Sequence, residues 1–219
     1  MIPDRARTIL RTVVGSQAHG LAVAGSDRDE ASIVVAPTRL VLGLDRDEAI
    51  GSAALSADHV AHEAERACRL AMSANPTVLE SICGPVLECD EWGEGLRALT
   101  PAFLSRPRVL AAYSGYAASQ LRMLRERHPL GTRRGDKHAR HVFRLLEQGR
   151  RLLETGRVHV RVAERAWYLE ELPRLDLPEV ERLAERESAR LRAAGSVLPE
   201  APDRERVQEW LVACRLAHL

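Results

Sequence analysis

Residues 15–30 read GSQAHGLAVAGSDRDE, and they follow TILRTVV, the short β-branched run from Thr8 to Val14. An apolar run of this length that ends at a glycine is typical of a buried strand, and Gly15 permits a tight turn after it. A helix beginning near Ser16 would leave backbone N–H groups free at its positive end, beside the serine hydroxyl. This turn is therefore predicted to bind phosphate groups.

Two aspartates of this stretch, Asp27 and Asp29, precede the apolar run from Ile33 to Val35. Alternate side chains of a strand share one face, so both carboxylates are expected on the same side of a sheet. Mg²⁺ prefers carboxylates and substrate phosphates as ligands. The pattern predicts a site for Mg²⁺ (or Mn²⁺) next to the Gly-Ser turn. The alternative is a solvated turn, because Gly, Ser and Asp are common in loops.

The Gly-Ser of residues 15 and 16, followed by the Asp-x-Asp of residues 27–29, resembles the signature of the nucleotidyltransferase superfamily of the DNA polymerase β type. The wider pattern, G-S-x-A-x-G-L and then S-D-x-D, looks like the predicted nucleotidyltransferases linked with bacterial RNA-repair systems. Two later blocks, residues 57–82 and 137–156, are similar to the same proteins. The resemblance therefore covers most of the chain.

This resemblance implies a catalytic site with three metal-binding carboxylates, at Asp27, Asp29 and Asp58. If residues 57–62 are extended, Asp58 shares a face with Val60 and His62, and Glu63 on the other face is the alternative third carboxylate. The residues alone also allow Asp58 to be the N-cap of the following helix.

The implied reaction transfers a nucleoside monophosphate from a nucleoside triphosphate such as ATP to an acceptor hydroxyl. The resemblance favours an RNA end as the acceptor, and a protein side chain or a small molecule suits the same site. An inactive nucleotide-binding or antitoxin-like module is the alternative function, and loss of the third carboxylate would be its usual mark. The oligomeric state stays open.

A basic helix face is predicted in the second half of the chain. Lys137, His141 and Arg144 recur at helical spacing, and apolar residues occupy another face. The resemblance implies that these three residues and His138 bind triphosphate or acceptor phosphate, whereas the spacing alone equally fits a solvated surface. The preceding residues, 131–135, are expected to form a mobile basic loop.

Composition limits the class of protein. The 219 residues include 45% hydrophobic side chains, enough for a buried core, and a net charge of +1 gives no global positive field for nucleic acid. No apolar stretch has the length of a membrane span, and the four cysteines lack metal-site spacing. These features predict a cytoplasmic protein that does not bind membranes.

Pro101 and Pro107 separate short mixed patterns from long helical ones. The predicted fold is α/β (α+β), with a small mixed β-sheet nucleotidyltransferase core in residues 1–100 and an all-helical domain in residues 101–219. A short strand or turn is expected at residues 39–44. Helices are expected at residues 109–127, 137–154, 162–172, 178–194 and 203–217.

Overall fold

The computed structural model of the protein describes residues 1–3, 5–42 and 50–219. Its strands are β1 (Arg7–Val14), β2 (Asp29–Val35), β3 (Ser52–Ser56), β4 (His59–Glu63) and β5 (Val86–Cys89). They form one sheet in the order β3-β4-β2-β1-β5. The pair β2 and β4 is parallel and the other pairs are antiparallel. The predicted mixed sheet is thereby confirmed.

Ten α-helices accompany the strands in the described part of the chain. They are α1 (Gly15–His19), α2 (Thr38–Leu42), α3 (Ala64–Met72), α4 (Pro76–Cys83), α5 (Glu91–Ala98), α6 (Thr100–Phe103), α7 (Arg106–Glu126), α8 (Arg133–Thr155), α9 (Leu177–Ala193) and α10 (Arg204–Ala217). None of these helices is both long and apolar enough to span a bilayer. Local signals set several of their starts: the Asn75 side chain, for example, accepts a hydrogen bond from Val78 N, with Pro76 in the first turn of α4.

The chain folds into two compact units. The first comprises residues 1–104 and 202–219, and the second comprises residues 105–201. The first unit contains the sheet, whose centre is buried through Ile9, Leu10 and Ile33. The second unit is built from α7, α8 and α9. The helix α10 packs on α3, α5 and α6 and belongs to the first unit, although it follows the second unit in sequence.

Several local predictions differ from the structure. Residues 39–42 are helical, and the remaining two residues of that predicted strand or turn, 43 and 44, lie outside the described residues. In place of a helix over residues 162–172, the structure has a π-helical turn at Trp167–Glu171 followed by a short 3₁₀ turn at Leu172–Arg174. Pro173 has no N–H to donate, which disfavours extending the helix beyond this turn.

A buried ion pair connects α10 to the sheet. The Arg215 guanidinium on α10 contacts the Glu63 carboxylate at the end of β4, and Arg215 Nη1 also donates to Ala36 O at 3.2 Å. The same carboxylate accepts from the backbone N–H of Ala36 at 3.3 Å and of Glu65 at 2.8 Å, so it caps α3. Glu63 therefore holds three elements together.

Glu63→Gln is expected to lower the free energy of unfolding by about 3 kcal/mol, because it leaves the buried Arg215 cation without its counter-charge. The matched control is Glu65→Gln, which breaks the exposed pair between Glu65 and Arg69 and should cost less than about 0.5 kcal/mol. Urea denaturation of both variants measures the difference. Equal, small losses would contradict a structural role for Glu63.

Candidate active site

The Gly-Ser turn lies directly against the second aspartate. In the antiparallel pair of β1 and β2, Val14 is opposite Asp29. Gly15 follows with φ +66°, and a Cβ placed on it would lie 2.1 Å from Asp29 Oδ2. No larger residue fits at this position without displacing the carboxylate. The sheet register therefore brings the Gly-Ser turn against Asp29. Asp27 precedes β2, which begins at Asp29, so the two aspartates do not share a strand face as expected.

The segment between the turn and the aspartates folds back on α1. This helix ends at Gly20, whose φ is +74°, and Leu21 N donates to Ser16 O at 2.8 Å. The Gln17 side chain then donates to Asp27 O at 3.4 Å. These bonds tie the backbone of Asp27 to the helix that begins at the Gly-Ser turn.

His19 anchors the C-terminal end of α1 to α4. It is buried at the end of the helix, and its Nε2 lies 3.1 Å from Oε2 of Glu80, which is also buried, on α4. This pair fixes the end of α1 opposite to the Gly-Ser turn. The imidazole is therefore held inside the first unit.

Asp58 lies beside the aspartate strand, in the turn between β3 and β4. Its carbonyl accepts from Glu30 N at 2.7 Å, and the parallel register pairs Glu30 with His59. Asp58 immediately precedes β4, so its backbone lies beside the start of β2 at Asp29 and Glu30. The expectation that Asp58 caps α3 is wrong, because Glu63 caps that helix.

Glu63, the alternative third carboxylate, lies at the other end of β4. It is paired with Val34, five positions along β2 from Asp29, and its oxygens are bonded to α3 and Arg215. These contacts occupy the carboxylate in the protein interior. Of the two candidates, Asp58 is the one whose backbone lies beside the Asp29 end of β2.

The carboxylates offer an open donor set. Among the described residues, no three His, Cys, Asp or Glu side chains are grouped closely enough to hold a metal ion on their own. Mg²⁺ is usually bound through one or two carboxylates, with waters and substrate phosphates as its other ligands. Asp27 and Asp58 are exposed and Asp29 is half-buried. Their chemistry fits an ion shared with a substrate, and it does not fit a closed metal cage.

The four predicted phosphate-binding residues of the second half all lie on α8. Lys137 is exposed and His141 is half-buried, whereas Arg144 is only 4% exposed and donates to Gln148 Oε1 at 2.8 Å. They therefore do not form one exposed face, and Arg144 belongs to the interior of the second unit. The bond to Gln148, one turn further along the helix, satisfies one of the guanidinium N–H groups.

His138 has partners that its sequence neighbourhood did not indicate. Its Nδ1 lies 2.7 Å from Gln120 Oε1 on α7, and its ring stacks on His128 with centroids 5.0 Å apart. Burial lowers the pKa of the His138 imidazole, and the nearby His128, Lys137 and Arg134 lower it further. The contacts depend on how α7 and α8 pair, which helical spacing does not show.

Comparison with known proteins decides the family. Residues 3–210 match the RNA repair pathway DNA polymerase beta family. The chain belongs to this family. That membership confirms the resemblance seen at residues 15–29. No protein of curated function matches the chain.

The chain is also similar to a protein of known structure. It is a nucleotidyltransferase-like protein from Exiguobacterium sibiricum 255-15. Its identity to this chain is 15%, over 98% of this chain and 71% of that one, with a TM-score of 0.31.

Proposed function

We propose that the protein is a metal-dependent nucleotidyltransferase, which moves a nucleoside monophosphate from a nucleoside triphosphate to an acceptor hydroxyl. The observation that carries the proposal is the contact between the Asp29 carboxylate and Gly15 at the start of α1. This contact places a carboxylate suited to Mg²⁺ beside a turn suited to phosphate. The chain that contains both belongs to a polymerase β family.

Each residue of the first unit has a distinct role in this proposal. Asp27, Asp29 and Asp58 would hold Mg²⁺ or Mn²⁺ jointly with the substrate phosphates. When bound, the ion neutralises phosphate charge and lowers the pKa of the acceptor hydroxyl. The Ser16 hydroxyl and the backbone N–H groups beside it bind the β and γ phosphates, which orients the triphosphate for in-line attack.

The family resemblance extends the proposed nucleotide contacts to α8. Lys137, His138 and His141 are the better candidates, because each is at least partly exposed. Arg144 would act from the interior of the second unit, by supporting the helix. The description of the family as part of an RNA repair pathway makes an RNA end the first acceptor to test.

A nucleotide-binding module without turnover is the second candidate function. One observation favours it: the described residues contain no group of three metal-binding side chains, and Asp58 is an exposed turn residue. Such a module would bind a triphosphate at the Gly-Ser turn in a metal-dependent manner and leave it intact.

The two functions are separated by incubating the protein with α-labelled nucleoside triphosphates, Mg²⁺ or Mn²⁺, and separate pools of RNA, protein and small acceptors. Nucleotidyl transfer predicts label in one pool, and removal of the metal with a chelator should abolish it. Metal-dependent triphosphate binding without label in any pool would contradict the transferase and support the binding module.

A further inference from the structure

The two compact units carry opposite charge. The first unit contains 12 Lys and Arg against 18 Asp and Glu, a formal charge of −6, and the second contains 20 against 13, a formal charge of +7. The net charge of +1 for the whole chain results from their cancellation. A positive field of this kind on one unit attracts polyanions. The near-neutral charge of the whole chain does not reveal this field.

Part of this positive charge is concentrated where α7 turns into α8. Residues 127–140 include five Lys or Arg and one acidic residue, Asp136. We call the five cations the basic corner: Arg127, Arg133, Arg134, Lys137 and Arg140. Four of them are exposed and Arg140 is half-buried. Arg133, Lys137 and Arg140 follow one another at helical spacing along one face of α8.

The charges of the basic corner are not neutralised by ion pairs. Within the described part of the chain, none of its five cations pairs with a carboxylate. Asp136, the acidic residue in the same stretch, accepts a hydrogen bond from Gly131 N at 3.0 Å and so stabilises the turn before α8. Other arginines of this unit differ: Arg125 and Arg150, for example, pair with glutamates.

Four of the five cations lie on α8, which begins at Arg133 within the stretch that the sequence predicted to be a loop, and hydrogen bonds close the turn before it. Thr132 Oγ1 donates to Pro129 O at 2.7 Å and accepts from Gly135 N at 3.0 Å. A Cβ on Gly135 would lie 2.0 Å from Pro129 O, so the turn packs closely on the first turn of α8. The cations are therefore presented on a preorganised surface, which reduces the entropy lost on binding.

We propose that the basic corner binds the phosphate backbone of single-stranded RNA and thereby holds the acceptor strand. The inference deepens the proposed function, on which it rests, by naming the surface that binds an RNA acceptor. Arginine provides four of the five cations, and its planar fork matches phosphate oxygens with paired hydrogen bonds. Contacts between side chains and RNA phosphates do not distinguish one base from another.

An anionic membrane is a weaker partner for this surface. Peripheral membrane helices combine basic residues with exposed large apolar ones. Residues 127–140, all of which the structure describes, contain no exposed large hydrophobic side chain. The basic corner therefore has no apolar side chain beside it that would insert into lipid. A phosphodiester backbone is the favoured ligand.

The test is RNA binding by the full chain, measured by fluorescence anisotropy with two unrelated single-stranded oligoribonucleotides of equal length, over a range of salt. The triple variant Arg127→Gln, Arg133→Gln, Arg134→Gln should bind both RNAs at least about tenfold more weakly, with the salt slope reduced by about 2. The matched control is Arg157→Gln, Arg161→Gln, Arg174→Gln, which removes three exposed charges elsewhere in the second unit. The control should retain most of the affinity.

Three results would overturn the inference: equal losses in the two triple variants, wild-type binding without salt dependence, or corner-dependent binding to phosphatidylserine vesicles but not to RNA. Binding is measured without triphosphate or metal, so it is independent of turnover. RNA binding without nucleotidyl transfer would refute only the proposed function. Nucleotidyl transfer to RNA with unchanged affinity in the corner variant would refute only the inference.

Discussion

Asp29→Asn is expected to reduce nucleotidyl transfer by about 10²- to 10³-fold or more while the protein stays folded. The Asp29 carboxylate lies against Gly15, so it is the acidic group closest to the proposed phosphate site. Asparagine keeps the size of the side chain but removes the negative charge that would hold Mg²⁺. Initial rates with α-labelled triphosphate, together with the melting temperature, measure activity and folding separately.

Glu30→Gln is the matched control for Asp29→Asn. Glu30 is the next residue of β2, its side chain is on the opposite face, and it pairs with Arg28 at 2.9 Å. Removing this charge should change the transfer rate by no more than a few-fold. A loss as large as that of Asp29→Asn would mean that general charge, and not the face shared with Gly15, determines activity.

Gly15→Ala is expected to abolish most activity, because its Cβ would lie 2.1 Å from Asp29 Oδ2 and push the carboxylate away. Displacing a catalytic group by about 1 Å is enough to cost about 10²-fold in rate. The φ of +66° adds backbone strain, so part of the effect will be on stability. Transfer rate and melting temperature are therefore measured on the same sample.

Gly25→Ala separates the two effects. Gly25 also has a positive φ, +79°, but a Cβ there would meet nothing within 4 Å. Both alanine variants should lose similar stability from strain, and only Gly15→Ala should lose activity. If Gly25→Ala were equally inactive, strain in this segment, and not contact with Asp29, would explain the result.

The parts of the site that were predictable depend on local patterns. β1 and the first part of the site follow from a β-branched run that ends at Gly15, and β2 follows from an apolar run after Asp29. β3 was not predicted, since its sequence, SAALS, is small and mostly exposed. It forms by pairing with β4, and such pairing depends on tertiary context more than on strand propensity.

The position of α10 and the interior contacts of two arginines required the structure. Glu63 and Arg215 are far apart in sequence, and neither hydrophobic spacing nor charge pattern indicates that they pair in the interior. Arg144 falls on a basic stripe by helical spacing, yet its contact with Gln148 lies inside the second unit. The opposite charge of the two units was accessible from the sequence, because residues 202–219 contain three basic and three acidic side chains and leave both sums unchanged whichever unit they join.

Nucleotidyl transfer is tested most directly by following both ends of the triphosphate in one reaction, with α-labelled and γ-labelled substrate, Mg²⁺ and the acceptor pool that takes up label. The proposed site predicts that the α label joins the acceptor and the γ label leaves in pyrophosphate, and that Asp29→Asn or a chelator stops both. Transfer of the γ label to the acceptor, or an Asp29→Asn variant as active as the parent, would contradict it.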